Sequence, residues 1–188
     1  MARLPSPVNI AVLLVAATGV RISECLGLRW GHVLWRENKI SIEQVFRRGE
    51  ILNRTKTKAS KAPVPMCESL EANILELYDN FVLASRDPER QTPLWGQSMN
   101  AQFVKPAAID LGLVSERERF GWHCFRHSLS TWANETTKDI TVSQTMLRHA
   151  KPDMTAVYTH GNFGKALVAQ RMYMDQLLKM KPALESTQ

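Results

Sequence analysis

The stretch NIAVLLVAATGVRISE, Asn9 to Glu24, sets the fold class and supplies the first candidate functional residue. Asn9 to Ala17 is nearly all apolar, and a helix apolar all round belongs in an interior. Ser6-Pro7 ahead of it reads as a helix start, a capping hydroxyl followed by proline in the first turn. Thr18-Gly19 stops that helix. Arg21 to Leu28 then reads as a second short helix, with Ile22, Cys25 and Leu26 on one side and Arg21 and Glu24 on another. The apolar run Ile10–Ala17 behind Met1-Ala2-Arg3 has the outline of a signal peptide. Pro5 and Pro7 precede it, a charged helical segment follows at once, and it is far too short to span a bilayer, so a core helix is expected.

Outward from this stretch the periodicity changes. From Lys39, Ile40, Ile42 and Val45 predict a strand, Arg47-Arg48-Gly49-Glu50 a turn, and Ile51-Leu52 the start of a second strand. Lys56 to Lys61 reads as another turn. Pro63-Val64-Pro65 reads as a short edge strand, because proline is tolerated in a sheet only at its edge. Helical signals then resume. Leu70, Ile74, Leu77, Tyr78 and Phe81 form a stripe at spacings of three and four, and Ser85 to Thr92 is a polar loop. A helix runs from a Ser98 cap to about Leu111, where Gly112 ends it. Short helices are expected over about His123–Ala133, Asp139–Leu147 and Pro152–His160. A last amphipathic helix is expected from about Lys165 to Met180, stopped by Pro182. The class is α+β, mainly α-helical, with a small antiparallel three-stranded sheet.

The chain has 188 residues, which suits one domain, and its 44% hydrophobic and 22% charged residues argue against disorder. The net charge of +6 is unevenly spread. Residues 1–61 hold eleven Lys and Arg against four acids, and the remainder holds 13 against 14. A local positive field of this kind suits an anionic partner such as nucleic acid, although a solvated basic face gives the same count. The three cysteines, Cys25, Cys67 and Cys124, form no CxxC pair and suit a reducing cytoplasm, where they act as small buried apolar groups.

Four separated pieces carry chemistry. The first is Thr18 to Glu24, with Arg21 just after the helix break and Glu24 one turn on. The second is the basic turn Arg54-Thr55-Lys56-Thr57-Lys58-Ala59-Ser60-Lys61. The third is Trp122-His123-Cys124-Phe125-Arg126-His127, in which His123 and Arg126 share a helix face. The fourth is Leu147-Arg148-His149, followed by Tyr158-Thr159-His160. Each alone has a plain structural reading: a surface ion pair, a solvated turn, a satisfied histidine, a core tyrosine. Together they hold a kit for phosphoryl transfer. Arginine gives planar bidentate donors to a phosphate and stabilises the extra charge of a pentavalent transition state. Tyrosine supplies an oxygen nucleophile, and lysine or histidine a proton for the leaving alkoxide.

In this order the four pieces resemble the catalytic domain of the tyrosine recombinases, the phage-integrase family of site-specific DNA recombinases, over about Pro7 to Tyr173. The resemblance implies a DNA breaking-rejoining fold and a role for each matched position. Tyr158 would attack the scissile phosphate and form a 3′-phosphotyrosine bond. Arg21 and Arg126 would clamp the non-bridging oxygens. Lys56 would protonate the leaving oxygen, His123 would assist proton transfer, and His149 would hydrogen-bond the phosphate. Glu24 would orient Arg21. Arg54, Lys58, Lys61 and Arg148 are candidate DNA contacts, Arg148 standing where the family commonly has glycine. Gly31-His32 stands where the family usually has an acidic residue after Trp30.

The resemblance implies no metal and no cofactor. It implies double-stranded DNA as partner, a homotetramer in the synaptic complex with a monomer when free, a cytoplasmic location and no membrane. It also implies that residues 1–188 form one catalytic domain lacking the family's N-terminal core-binding domain, with 164–188 as a helix and tail that could dock on a neighbouring protomer. Ala166, Leu167, Ala169, Met172, Tyr173, Leu177 and Met180 could form that docking face or pack on their own domain. The competing functions are a type IB topoisomerase-like DNA relaxing enzyme, an inactive DNA-binding module and a plain helical structural domain. In the free protein Tyr158 could also be held away from the arginines.

Overall fold

The computed structural model describes residues 4–48, 50–52, 63–82, 99–148 and 160–179. Helix α1, Val8–Thr18, is the central post of the molecule. Ala11, Val15 and Ala17 have no exposed surface at all, and Leu13 and Leu14 are buried beside them. Each such Leu or Val contributes roughly 1.5–3 kcal/mol by leaving water, so the stretch read as a core helix is one. Gly19 ends it in the left-handed conformation, φ 64°, and its N–H closes on the Val15 carbonyl. The short helix α2, Ile22–Leu26, follows directly.

Two single turns of 3₁₀ helix, Trp30–His32 and Trp35–Glu37, bracket strand β1, Val33–Leu34. Strand β2, Lys39–Ile40, pairs antiparallel with β1 (Val33 opposite Ile40) and with β5, Val64–Pro65 (Ile40 opposite Val64). The order β1-β2-β5 puts Pro65 at an edge, as its missing N–H requires. Strands β3, Val45–Arg47, and β4, Glu50–Leu52, form a separate two-stranded ribbon. The small sheet is therefore antiparallel and three-stranded, as expected, but β1 takes the place of the 45–52 segment. β1 lies between two helical turns and is two residues long, too short for any alternation to show.

Gly27 lets that ribbon dock on α2. A Cβ there would lie 2.9 Å from the Gln44 carbonyl oxygen and 3.0 Å from Val45 Cα, and Gln44 Nε2 donates to the Gly27 carbonyl at 2.6 Å.

The remaining elements are α3 (Glu68–Val82), a π-type turn (Asn100–Val104) leading into α4 (Lys105–Asp110), α5 (Trp122–Thr137), α6 (Ile140–Leu147) and α7 (His160–Lys179). Of these, α3, α5 and α7 pack on α1, and α6 packs on α5 and α7. Leu70 and Ile74 bury the start of the α3 stripe, and Gly112, φ 68°, follows α4 where a stop was expected. Helix α7 begins earlier than the sequence predicted. The helix expected over 152–160 and the Ser98 cap fall outside the described residues.

One apolar cluster surrounds α1, and a second joins α5, α6 and α7 through Leu129, Ala133, Met146, Leu147, Ala166, Ala169 and Tyr173. Of the face expected on the last helix, Ala166, Ala169 and Tyr173 pack into this second cluster, and Leu167 and Leu177 pack against the core. Met172 is 49% exposed, and Met180 lies outside the described residues. No helix among the described residues is long and apolar enough to cross a membrane.

Candidate functional site: three arginines around the end of α1

The site starts from the left-handed Gly19. A Cβ at this position would meet Leu147 Cδ2 at 2.7 Å and Leu129 Cδ2 at 3.1 Å on a left-handed backbone, so glycine suits the place where the end of α1 closes onto the end of α6. The next residues turn outward. Arg21 is extended, φ −72° and ψ 148°, and is the N-cap of α2. Glu24, third in that helix, reaches back to it as N3 acids do. Its Oε2 accepts the Arg21 backbone N–H at 2.8 Å, and its Oε1 accepts Arg21 Nη1 at 3.1 Å. Arg21 keeps 43% of its side chain exposed, whereas the Glu24 side chain keeps 4%.

Arg126 comes from α5 and is buried. Its Nη1 donates to the Gly19 carbonyl and its Nη2 to the Leu147 carbonyl. These are carbonyls at the C-terminal ends of α1 and α6, where backbone oxygens lack partners within their own helices and cations are favoured. One guanidinium thus pins the start of the Arg21 segment to the end of the helix that leads into Arg148. His123, one turn earlier on α5, is exposed, and so is His127, whose ring centroid is 6.2 Å away. Phe125 packs edge-on to Phe120 with centroids 5.7 Å apart and lies against the core, while Leu129 is fully buried.

Arg148 departs from expectation. The sequence makes it a candidate DNA contact, which calls for an exposed side chain. Its side chain is fully enclosed and pairs through Nη2 with Glu24 Oε2. The physical reason is local. Arg148 is the C-cap of α6 with φ 51°, and this left-handed turn aims the side chain back across the end of α1 toward α2. The same φ accounts for the glycine that the family commonly has there, since glycine takes that conformation without a Cβ penalty.

Three of the four sequence blocks therefore converge. Arg21 and Glu24 from the first, Arg126 from the third and Arg148 from the fourth share one site, with two carbonyls and one carboxylate as their named acceptors. Lys56, Arg54, Lys58 and Lys61 of the second block, and His149 and Tyr158 of the fourth, lie outside the described residues. Sequence reasoning missed the acceptors of Arg126, because they are backbone atoms. It also missed Gln170 of α7. This fully buried side chain accepts the Cys67 N–H at 2.7 Å and donates to the Pro65 carbonyl at 2.7 Å and the Ala17 carbonyl at 3.2 Å. A polar residue inside the Ala166, Ala169, Tyr173 stripe was the signal available.

The Cys25 and Cys67 thiols and the Tyr173 phenol are buried. Burial, with Glu24 adding to it, pushes the Cys25 thiol up to about 12, and burial also raises Cys67. All three cysteines are free thiols. Tyr173 is raised by burial, its ring packed on Trp132 with centroids 4.8 Å apart. Among the described residues no three His, Cys, Asp or Glu side chains are grouped to hold a metal ion.

The profile of the Phage integrase family matches residues 3–165. The chain is 29% identical over 164 residues to the tyrosine recombinase XerD of Rickettsia bellii (strain RML369-C), covering 81% of this chain and 51% of the relative. It is 22% identical over 166 residues to the tyrosine recombinase XerH of Campylobacter jejuni subsp. jejuni serotype O:2 (strain ATCC 700819 / NCTC 11168), covering 87% and 44%. The chain thus spans about half the length of the curated relatives it matches. A solved structure of the Tn1549 transposon integrase in complex with transposon right end DNA superposes with a TM-score of 0.58 at 20% identity, over 90% of this chain and 58% of that one. With the family profile running through every block that builds the site, the chain belongs to the phage integrase family.

Proposed function

We propose that the chain is the catalytic domain of a site-specific DNA recombinase that cuts and rejoins strands through Tyr158. The observation that carries this reading is the Arg126 side chain, which ties the Gly19 and Leu147 carbonyls and so draws three separate sequence blocks into one cationic site. In the reaction the Tyr158 phenol gives up its proton, with His123 accepting it, as its oxygen attacks the scissile phosphorus and the bond to the 5′ oxygen breaks. The 3′ end stays on Tyr158 as a phosphodiester, and the departing 5′ oxygen takes a proton from Lys56, with His123 assisting. Arg21, Arg126 and His149 hold the non-bridging oxygens as charge develops. A 5′-hydroxyl of the partner strand reverses the step, and because the phosphodiester energy is kept no nucleotide cofactor is consumed.

The partner is double-stranded DNA, bound as a monomer that assembles into a tetramer across two sites, in the cytoplasm. Arg54, Lys58 and Lys61 add phosphate contacts. The named relatives are tyrosine recombinases and the structural neighbour was solved on transposon DNA, which supports this reading.

The test is a library of nicked duplexes with randomised sequence around the nick, whose short cleaved fragment diffuses away and traps the covalent product. Wild-type chain is expected to yield an adduct that resists denaturation and EDTA, and Tyr158→Phe none. No adduct from wild type, or equal adduct from Tyr158→Phe, overturns the reading. Trapped sequences placed in pairs then separate functions: strand exchange supports a recombinase, whereas relaxation of supercoiled DNA without exchange assigns the chain to the topoisomerase-like alternative.

A further inference from the structure

We propose that Arg148 is a positioning residue for Arg21, acting through Glu24 and not through DNA. This rests on the reading of the chain as a DNA strand transferase and adds to it a residue that departs from the family pattern. Glu24 accepts from Arg21 twice, through the backbone N–H and through Nη1, and from Arg148 Nη2. The Arg148 side chain is fully buried and that of Glu24 nearly so. A buried ion pair is weak as a stabiliser, because desolvating both ions offsets their attraction. The backbone at 148 is also left-handed, where glycine would cost less. The arginine is thus kept at two local costs.

Its gain is electrostatic. A lone Arg21–Glu24 pair is neutral and binds an anion poorly. With Arg148 the group of three carries one net positive charge, and the carboxylate is satisfied from the inner side. Arg21 is then held by its backbone N–H and one Nη, with 43% of its side chain exposed. Arg148 also spans from the end of α6 to the start of α2, so it fixes the distance between two of the blocks that form the site.

The test uses the full chain and a duplex recovered from the randomised nicked library. Single-turnover adduct formation is measured at saturating protein, together with duplex affinity across a salt series, for Arg148→Met, Glu24→Gln and the double variant. Arg148→Met is expected to slow adduct formation about tenfold, as misplacement of a positioning group does, while the salt slope of binding stays as in wild type. In the Glu24→Gln background the same change is expected to slow it less than twofold. A slope reduced by about one phosphate contact would make Arg148 a DNA contact, and losses that multiply in the double variant would make the two residues independent. Either result overturns the proposal, as does a wild-type rate in Arg148→Met. Should Arg148→Met not fold, Arg148→Gly, which relaxes the left-handed turn, carries the same comparison. No adduct from wild type removes the functional reading itself, and this proposal with it.

Discussion

A methyl group at position 19 would meet Leu147 Cδ2 at 2.7 Å on a backbone of φ 64°. The left-handed conformation costs a residue with a Cβ about 1–2 kcal/mol, and the overlap about 1–3 kcal/mol more. Gly19→Ala is therefore expected to lose about 2–5 kcal/mol in urea unfolding, and to lose adduct formation because the Gly19 carbonyl is an acceptor of Arg126. An unchanged unfolding midpoint would contradict this. The glycine was legible in the sequence as a helix stop. Its contact with Leu147 was not, because the partner lies on another helix more than a hundred residues away. The same holds for Arg126: its type and place in the His-x-x-Arg block were readable, but its acceptors are backbone oxygens of two distant helices. Arg148 shows the limit most plainly, since a charge on a sequence string reads as solvent-facing and only the left-handed turn at 148 sends it inward.

Among the elements, α7 is the tie that holds the site's supports together. Gln170 bonds the end of α1, the edge strand β5 and the start of α3. Gln170→Leu keeps the volume and removes a donor and an acceptor from three buried backbone groups. A loss of about 1–3 kcal/mol in chemical unfolding is expected, and a neutral result would contradict the role. The amphipathic period of α7 was readable, but whether its stripe covered this domain or a neighbour was open until Ala166, Ala169 and Tyr173 were seen packed on α5 and α6.

Helix α6 begins with an Asp139 cap whose carboxylate accepts Thr141 Oγ at 2.6 Å and Thr141 N at 2.9 Å, with Lys165 at 3.3 Å. The Thr141 hydroxyl and N–H, with Lys165 behind them, hold the carboxyl below its usual range. A carboxylate lowered in the folded state stabilises above its unfolded pKa, and that support is lost as pH falls through the folded value. Asp139→Asn is expected to melt earlier than wild type near neutrality, with the gap closing as pH falls through and below the ordinary carboxylate range. A gap independent of pH would contradict it.

At the scale of the whole molecule, one apolar cluster surrounds α1 and a second joins α5, α6 and α7, and Arg126 ties the end of α1 to the end of α6. The class, mainly helical with a small antiparallel sheet, was legible because long apolar periods and a proline-marked edge strand are strong signals. The separate ribbon 45–52 was not, because pairing partners are a tertiary choice. The excess of positive charge is concentrated in residues 1–61. With about six phosphate contacts, duplex affinity is expected to fall roughly 10³-fold between 50 and 200 mM salt. A flat response would contradict a backbone-dominated grip.

The most direct measurement is to digest the trapped adduct with protease and nuclease and map the nucleotide-bearing peptide by mass spectrometry. A single 3′-nucleotide phosphodiester on Tyr158, with none on the buried Tyr173, is the expected result. A nucleotide on any other residue, or no covalent link in a reaction that cuts DNA, would contradict strand transfer through this tyrosine.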